Sequence, residues 1–312
     1  MAVTCEQIEE IFMIGLKFWK KINDTSSAPV NKDKFGEEKN MLGKFEVLRE
    51  LGRGSMGVVY LGRDPNSSLD VAIKTITLAN ESNSEVLRDA KSQFLREAKI
   101  LTWLDHPDIV TIYDVGEDHG LAFIAMEFLT GVKLTAYTKT YSLLSLPKVL
   151  DIMARVADAL GYAHEQNVVH RDVKPGNIMY DPANNTVKVI DFGISMLTSH
   201  FSKKGDLVMG SPLYMSPEQV RGKQINGLSD LFSLGSSLYQ LVSGYLPFEG
   251  DSDFDVMHRI AKEPHIDILS VKPDLPPCVC AIIDHALAKD VEKRYQSGRE
   301  MADAIRQCAA TL

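Results

Sequence analysis

The sequence predicts an α+β fold, strand-rich in its first part and mostly helical in a longer second part. Three observations carry that expectation. Short runs rich in β-branched and aromatic residues recur at 45–48, 58–61, 71–74, 109–115 and 121–128, broken by glycine, aspartate and proline turns. From Pro147 onward, apolar residues recur at the 3–4 spacing of amphipathic and buried helices. Between these patterns lies His170-Arg171-Asp172-Val173-Lys174-Pro175-Gly176-Asn177, followed by a short apolar run, Val187 to Ile190, and Asp191-Phe192-Gly193.

Composition narrows the function classes. The 312 residues are 45% apolar, enough for a core, and carry a net charge of −8. That balance argues against a broad phosphate-tracking surface, so no nucleic-acid partner is expected. No apolar run reaches the ~18–20 residues of a membrane span. Glu6, Glu9 and Glu10 ahead of the first apolar stretch do not fit a secretory leader. The four cysteines, Cys5, Cys278, Cys280 and Cys308, match neither a disulfide framework nor a zinc site. Reduced thiols and a cytoplasmic location are therefore expected.

The central stretch gathers the groups for phosphoryl transfer. Asp172 is a base candidate, Lys174 a cation for a charged phosphoryl group, and Asn177 and Asp191 supply oxygens suited to magnesium. HRDxKxxN followed by DFG resembles the catalytic and metal segments of eukaryotic-type protein kinases, and the wording GRGSMGVVY, HRDVKPGNIM and YMSPEQ is most similar to the bacterial Hanks-type serine/threonine kinases. The resemblance implies a bilobal kinase fold: a small β-rich N-lobe at 43–130, a larger helical C-lobe at 131–310, and residues 1–42 as an N-terminal helix and polar linker. It implies ATP with Mg2+, or Mn2+ in its place, and serine or threonine hydroxyls of proteins as acceptors, the chain itself included, in signalling.

Taken in order, residues 4–22 read as a helix, with Ile8, Phe12, Leu16 and Trp19 on one side and Lys17, Lys20 and Lys21 near its end. Docking on a partner, a second protomer or a membrane surface stands beside packing on its own domain. A homodimer through the N-lobe or this helix is one expected assembly. Membrane association is expected only through this helix or a region upstream. Residues 23–41 read as a linker. Gly52-Arg53-Gly54-Ser55-Met56-Gly57 sits between strand runs. The β-branched residues that follow favour a hairpin over phosphates rather than a strand-to-helix dinucleotide loop. The run breaks at Gly62. By resemblance Leu51 and this loop cover the nucleotide, Lys74 holds its α- and β-phosphates, and Glu97, on a helix over 84–103, orients Lys74. Val59, Ala72 and Met179 sandwich the adenine, Met126 is the gatekeeper, and Glu127, Phe128 and Leu129 form the hinge. His106-Pro107 ends the helix.

The helix at 147–166, with Ser145 and Pro147 as start signals, delivers the chain to the catalytic segment. The resemblance makes Asp172 the proton acceptor and gives Lys174 the transferring phosphoryl charge. Asn177 and Asp191 then hold the metal. His170 becomes a packing residue in one column with Phe192, Leu101 and Ile112; His106 and His164 also read as structural. Residues 194–215 become the activation segment, with Thr198, Ser199 and Ser202 as phosphorylation candidates facing Arg171 and Ser211 near Asp172 and Lys174. Relatives commonly carry threonines before a Gly-Thr-Pro; this chain has Gly210-Ser211-Pro212. Glu218 pairs with Arg294, and Asp230, on a helix capped by Ser229, holds the catalytic loop backbone. Helices at 253–262, 278–289 and 297–310 close the chain. A binding-only pseudokinase is the rival, but Lys74, Asp172, Asn177 and Asp191 are all present. A small-molecule phosphotransferase is disfavoured by Ser211 and Ser216-Pro217-Glu218.

Overall fold

The computed structural model describes residues 41–54, 57–76, 95–118, 120–192 and 212–312. The described residues divide into two units: those within 41–97 and 115–125 in one, and 98–114, 126–192 and 212–312 in the other. The expected helix at 4–22, the activation-segment candidates, Ser55, Met56 and Ser211 lie outside the described residues.

Strands β1 (Met41–Leu42), β2 (Phe45–Gly54), β3 (Gly57–Arg63), β4 (Asp70–Ile76), β5 (Ile112–Asp118) and β6 (Leu121–Glu127) form one sheet in the order β1-β2-β3-β4-β6-β5. Alternation decides which face is buried: Val71 and Ile73 of β4 point into a core with Leu42, Phe45, Phe123 and Ala125, while Ala72 and Lys74 are half-buried. Phe45, Leu42 and the two β4 residues are at most 1% exposed. The β2–β3 hairpin pairs Gly52 with Val59 and Gly54 with Gly57. Beyond the last β3–β4 pair, Val59 with Lys74, the Thr75 hydroxyl donates to Val58 O at 3.0 Å and accepts from Val58 N at 3.3 Å. This approach requires glycine at 57, where φ is +143° and a Cβ would lie 1.8 Å from Thr75 O.

In the second unit the helices are α1 (Leu146–Glu165), α2 (Pro217–Val220), α3 (Gly227–Ser243), α4 (Asp253–Lys262), α5 (Ile268–Val271), α6 (Pro277–Ala286) and α7 (Gly298–Ala309), with a second sheet β7 (Val132–Lys133), β8 (Ile178–Asp181), β9 (Thr186–Val189). α3 is buried from Ser229 to Ser243. Its serines solve their own desolvation: the Ser233, Ser236, Ser237 and Ser243 hydroxyls donate to the carbonyls four residues back, at 2.7–3.3 Å. α7 crosses α1 where glycine meets glycine, since a Cβ on Gly298 would lie 2.3 Å from Ala157 O and 2.6 Å from Gly161 N. Among the described residues no helix is long and apolar enough to cross a membrane.

Several expectations need correction. The strand pattern begins at Met41, inside the expected linker, and β3 runs through Gly62 to Arg63. Ile109 is not part of β5; it bridges Val189 of β9 instead. α3 is capped by Asn226, whose side chain accepts from Leu228 N at 3.0 Å, and Ser229 lies inside the helix. α6 ends at Ala286, short of the expected 289. The cysteine expectation also fails: Cys278 and Cys308 form a disulfide, with Cα atoms 5.6 Å apart. Spacing along the chain conceals this pair because it joins the first turn of α6 to the last turn of α7.

Candidate active site

The segment that carries the catalytic candidates is shaped by a buried carboxylate from α3. Asp230 is 1% exposed. Its Oδ2 accepts from His170 N at 2.8 Å and its Oδ1 from Arg171 N at 2.7 Å. His164 Nε2, from α1, lies 2.8 Å from the same Oδ2. Charge-assisted bonds of this kind hold a backbone turn that a non-glycine residue otherwise avoids, and Arg171 sits at φ +67°. His170 is fully buried, and its ring lies 4.6 Å from that of Phe192. Its Nδ1 accepts from Asp172 N at 3.2 Å, so the proton sits on Nε2, which donates to Ile190 O at 2.9 Å. Both ring nitrogens are thus committed to backbone. Leu101, Ile109, Ile112, Met126, Asp191 and Phe192 line a small cavity, which places three members of the expected column around one space.

Asp172, Lys174 and Asn177 form one cluster. Lys174 Nζ lies 2.8 Å from Asp172 Oδ2. Asn177 Nδ2 donates to Asp172 Oδ2 at 2.9 Å and to Asp172 O at 2.8 Å, so Asn177 presents Oδ1 as its remaining side-chain acceptor. Asn177 O accepts from Ile190 N at 2.9 Å, which joins this loop to the residue before Asp191. Asp191 has φ +62°. Two oxygen side chains suit magnesium, which keeps waters and takes phosphate oxygens as further ligands. Among the described residues, no group of three or more His, Cys, Asp or Glu gathers as a metal site.

In the first unit, the glycine hairpin is open at two of its glycines. A Cβ on Gly52 or Gly54 would meet nothing within 4 Å, and neither residue has positive φ. Packing therefore does not explain glycine there, whereas it does at Gly57. A phosphate approaching backbone amides is an explanation that fits. Leu51 and Arg53 are exposed on the same strand; Val59, Ala72, Lys74 and Glu97 are half-buried. Glu97 lies in the helical stretch 95–100.

One network was not legible in the sequence. Lys188 of β9, its side chain 11% exposed, lies 2.8 Å from Glu127 Oε2 and donates to Ile109 O at 3.2 Å. Thr111 O accepts from Glu127 N at 2.9 Å. Asp108, next to Ile109, accepts from Val189 N at 2.8 Å and is ion-paired with Arg155 of α1. The hinge candidate Glu127 is thereby anchored to the strand that leads into Asp191. Leu129 and, on β8, Met179 of the same unit are half-buried. The only available signal was a lysine among apolar neighbours in Val187-Lys188-Val189.

Farther off, Arg294 is 1% exposed and grips Glu218 with two bonds of 2.7 and 2.9 Å. Ser229 adds a bond of 2.6 Å to the same carboxylate. Burial pushes the Glu218 carboxyl up, but Arg294 and Ser229 outweigh it and hold the group at about 2.

Residues 45–307 match the protein kinase domain. The chain belongs to the protein kinase family. It is 36% identical over 269 residues to serine/threonine-protein kinase PrkC of Bacillus subtilis, covering 86% of this chain and 41% of that protein. Identity to PknB of Mycolicibacterium smegmatis is 37% over 273 residues, covering 84% and 43%. The chain thus spans less than half the length of these relatives. The fold is that of a protein kinase: the crystal structure of the Mycobacterium tuberculosis PknI kinase domain superposes with a TM-score of 0.68, at 28% identity, over 86% of this chain and 97% of that one. Within the kinase domain, sequence reasoning located the Asp230 bracket, the Glu218–Arg294 pair and the structural role of His164, and missed Lys188.

Proposed function

We propose that the chain is a serine/threonine protein kinase that transfers the γ-phosphoryl group of ATP to hydroxyls of proteins, itself included. The observation that carries this reading is the Asp172–Lys174–Asn177 cluster, fixed by a buried Asp230 that bonds the two preceding backbone amides. The likeness to PrkC and PknB, both serine/threonine-protein kinases, supports it.

In this reading Asp172 orients the acceptor hydroxyl and takes its proton through Oδ1, since Oδ2 is held by Asn177 and Lys174. Lys174 balances negative charge on the transferring group. Asn177 Oδ1 and Asp191 would hold Mg2+, which supplies charge neutralisation at the phosphates. Gly52, Gly54 and Lys74 would hold the phosphates, Glu97 would orient Lys74, and the hinge backbone at Glu127–Leu129 would bond the base. Positioning and preorganised charge supply the acceleration. Phosphorylation at Thr198, Ser199 or Ser202 would pair with Arg171 and order the activation segment. Intact mass and rate, measured before and after phosphatase treatment, test that part: equal rates of the two forms remove it.

The whole reading is tested with γ-labelled ATP and a protein mixture, followed by phosphoamino-acid analysis. Label is expected on phosphoserine and phosphothreonine, and absent with Lys74→Met. Label on tyrosine alone, or full transfer by Lys74→Met, overturns it.

A further inference from the structure

The helical unit carries a sulfur pair that no catalytic role uses. Cys278 lies in the first turn of α6 and Cys308 in the last turn of α7, and they are joined by a disulfide across 30 residues of chain. The two sulfurs differ in surroundings. Cys308 is 4% exposed, at the C-terminal end of its helix. Cys278 is half-buried, in the first turn of a helix whose cap residue, Pro276, gives no side-chain bond. Ala310, Thr311 and Leu312 are exposed, and the Thr311 hydroxyl lies 3.9 Å from Cys278 Sγ.

The bond is also dispensable for docking α7. That helix buries Met301, Ala302 and Ile305, seats Gly298 against α1, and pairs Arg306 with Asp158. Opening the bond therefore leaves the helix in place but removes the tie at its last turn. Cys280, two residues on, is a poor substitute partner. Burial, with Asp284 nearby, pushes its thiol up, and its sulfur faces Leu275 O at 4.0 Å.

We propose that Cys278 and Cys308 are a reversible thiol–disulfide site, at which small dithiols and hydrogen peroxide react at Cys278, the less buried of the two, and thereby set how firmly the end of α7 is tied to α6. In the reducing direction, a dithiol's thiolate attacks Cys278 Sγ. The S–S bond breaks, and Cys308 leaves as a thiolate that takes up a proton. The reagent's second thiol then attacks its own sulfur in the mixed disulfide and releases Cys278 as the second thiol. Two electrons and two protons pass to the protein, and the reagent leaves as its disulfide. In the oxidising direction, the Cys278 thiolate attacks hydrogen peroxide; the O–O bond breaks, Cys278 becomes a sulfenic acid and the departing hydroxide takes up a proton as one water. The Cys308 thiol displaces the second water as the disulfide forms.

The test uses the full chain equilibrated in glutathione buffers that span fully oxidised to fully reduced. Each sample is quenched by alkylation, and the Cys278 and Cys308 peptides are read by mass. The expected result is a two-electron transition of both cysteines together within that range. Reduction should lower the melting temperature by several degrees, with no reductant effect in Cys278→Ser or Cys308→Ser. A pair that stays closed at every ratio is a permanent staple and overturns the proposal. So does a pair that stays open at every ratio, or an equal melting temperature in both states.

Discussion

Lys188 shows what a single residue contributes and what a sequence hides. Its neighbours Val187 and Val189 are buried by strand alternation, so pattern reading leaves the lysine to solvent. The side chain is instead 11% exposed, held by Glu127 and by Ile109 O, the latter 79 positions away. Contacts at that separation leave no periodic trace. On the proposed function, this lysine holds the hinge in the register that receives the base. Replacing it with methionine removes a mostly buried partner of Glu127 and loosens the hinge without touching the reacting groups. Lys188→Met is expected to raise the KM for ATP by roughly 3–10-fold and leave kcat within about twofold. Steady-state kinetics over an ATP titration checks this; an unchanged KM assigns Lys188 to stability alone.

At the scale of elements, glycine marks two different demands. Gly298 is fixed by packing: a methyl group there would collide with the backbone of α1. Gly298→Ala is expected to lose about 1–3 kcal/mol, a melting decrease of roughly 3–10 °C. Gly54 has open space around its Cβ position. Gly54→Ala should melt within roughly 1 °C of wild type and raise the KM for ATP several-fold. Thermal melts with ATP kinetics on both variants separate the cases, and a Gly54→Ala protein with lowered stability would contradict the reading. Element order was legible because helical and strand periods differ and the motifs punctuate them. Ends were less so: Asn226 and Ser229 are both good caps, and only the Glu218 carboxylate, which takes the Ser229 hydroxyl, shows why the cap falls to Asn226. The four-residue helices α2 and α5 are too short to show a period.

For the whole molecule, the Glu218–Arg294 pair ties the start of α2 to the turn before α7, and it gives folding a pH signature. The Glu218 carboxyl titrates at about 2 in the folded chain against 4.5 for an ordinary glutamate. The unfolded chain therefore binds the proton first as pH falls. The stabilisation is complete above about pH 4.5 and is lost between there and about pH 2. Urea unfolding from pH 6 to 3 should show this decline, and a Glu218→Met, Arg294→Met double variant should lack that part of it. The pair was legible as a family landmark, whereas the Cys278–Cys308 bond belongs to this chain's own helix packing and had no landmark to reveal it. On the proposed function, the Asp230-held loop presents Asp172 as the proton acceptor in phosphoryl transfer. Asp172→Asn tests it most directly, with nucleotide affinity and transfer rate measured on the same sample. ATP affinity within a few-fold of wild type and transfer slowed by at least about 100-fold are expected; transfer within tenfold of wild type would remove Asp172 as the proton acceptor.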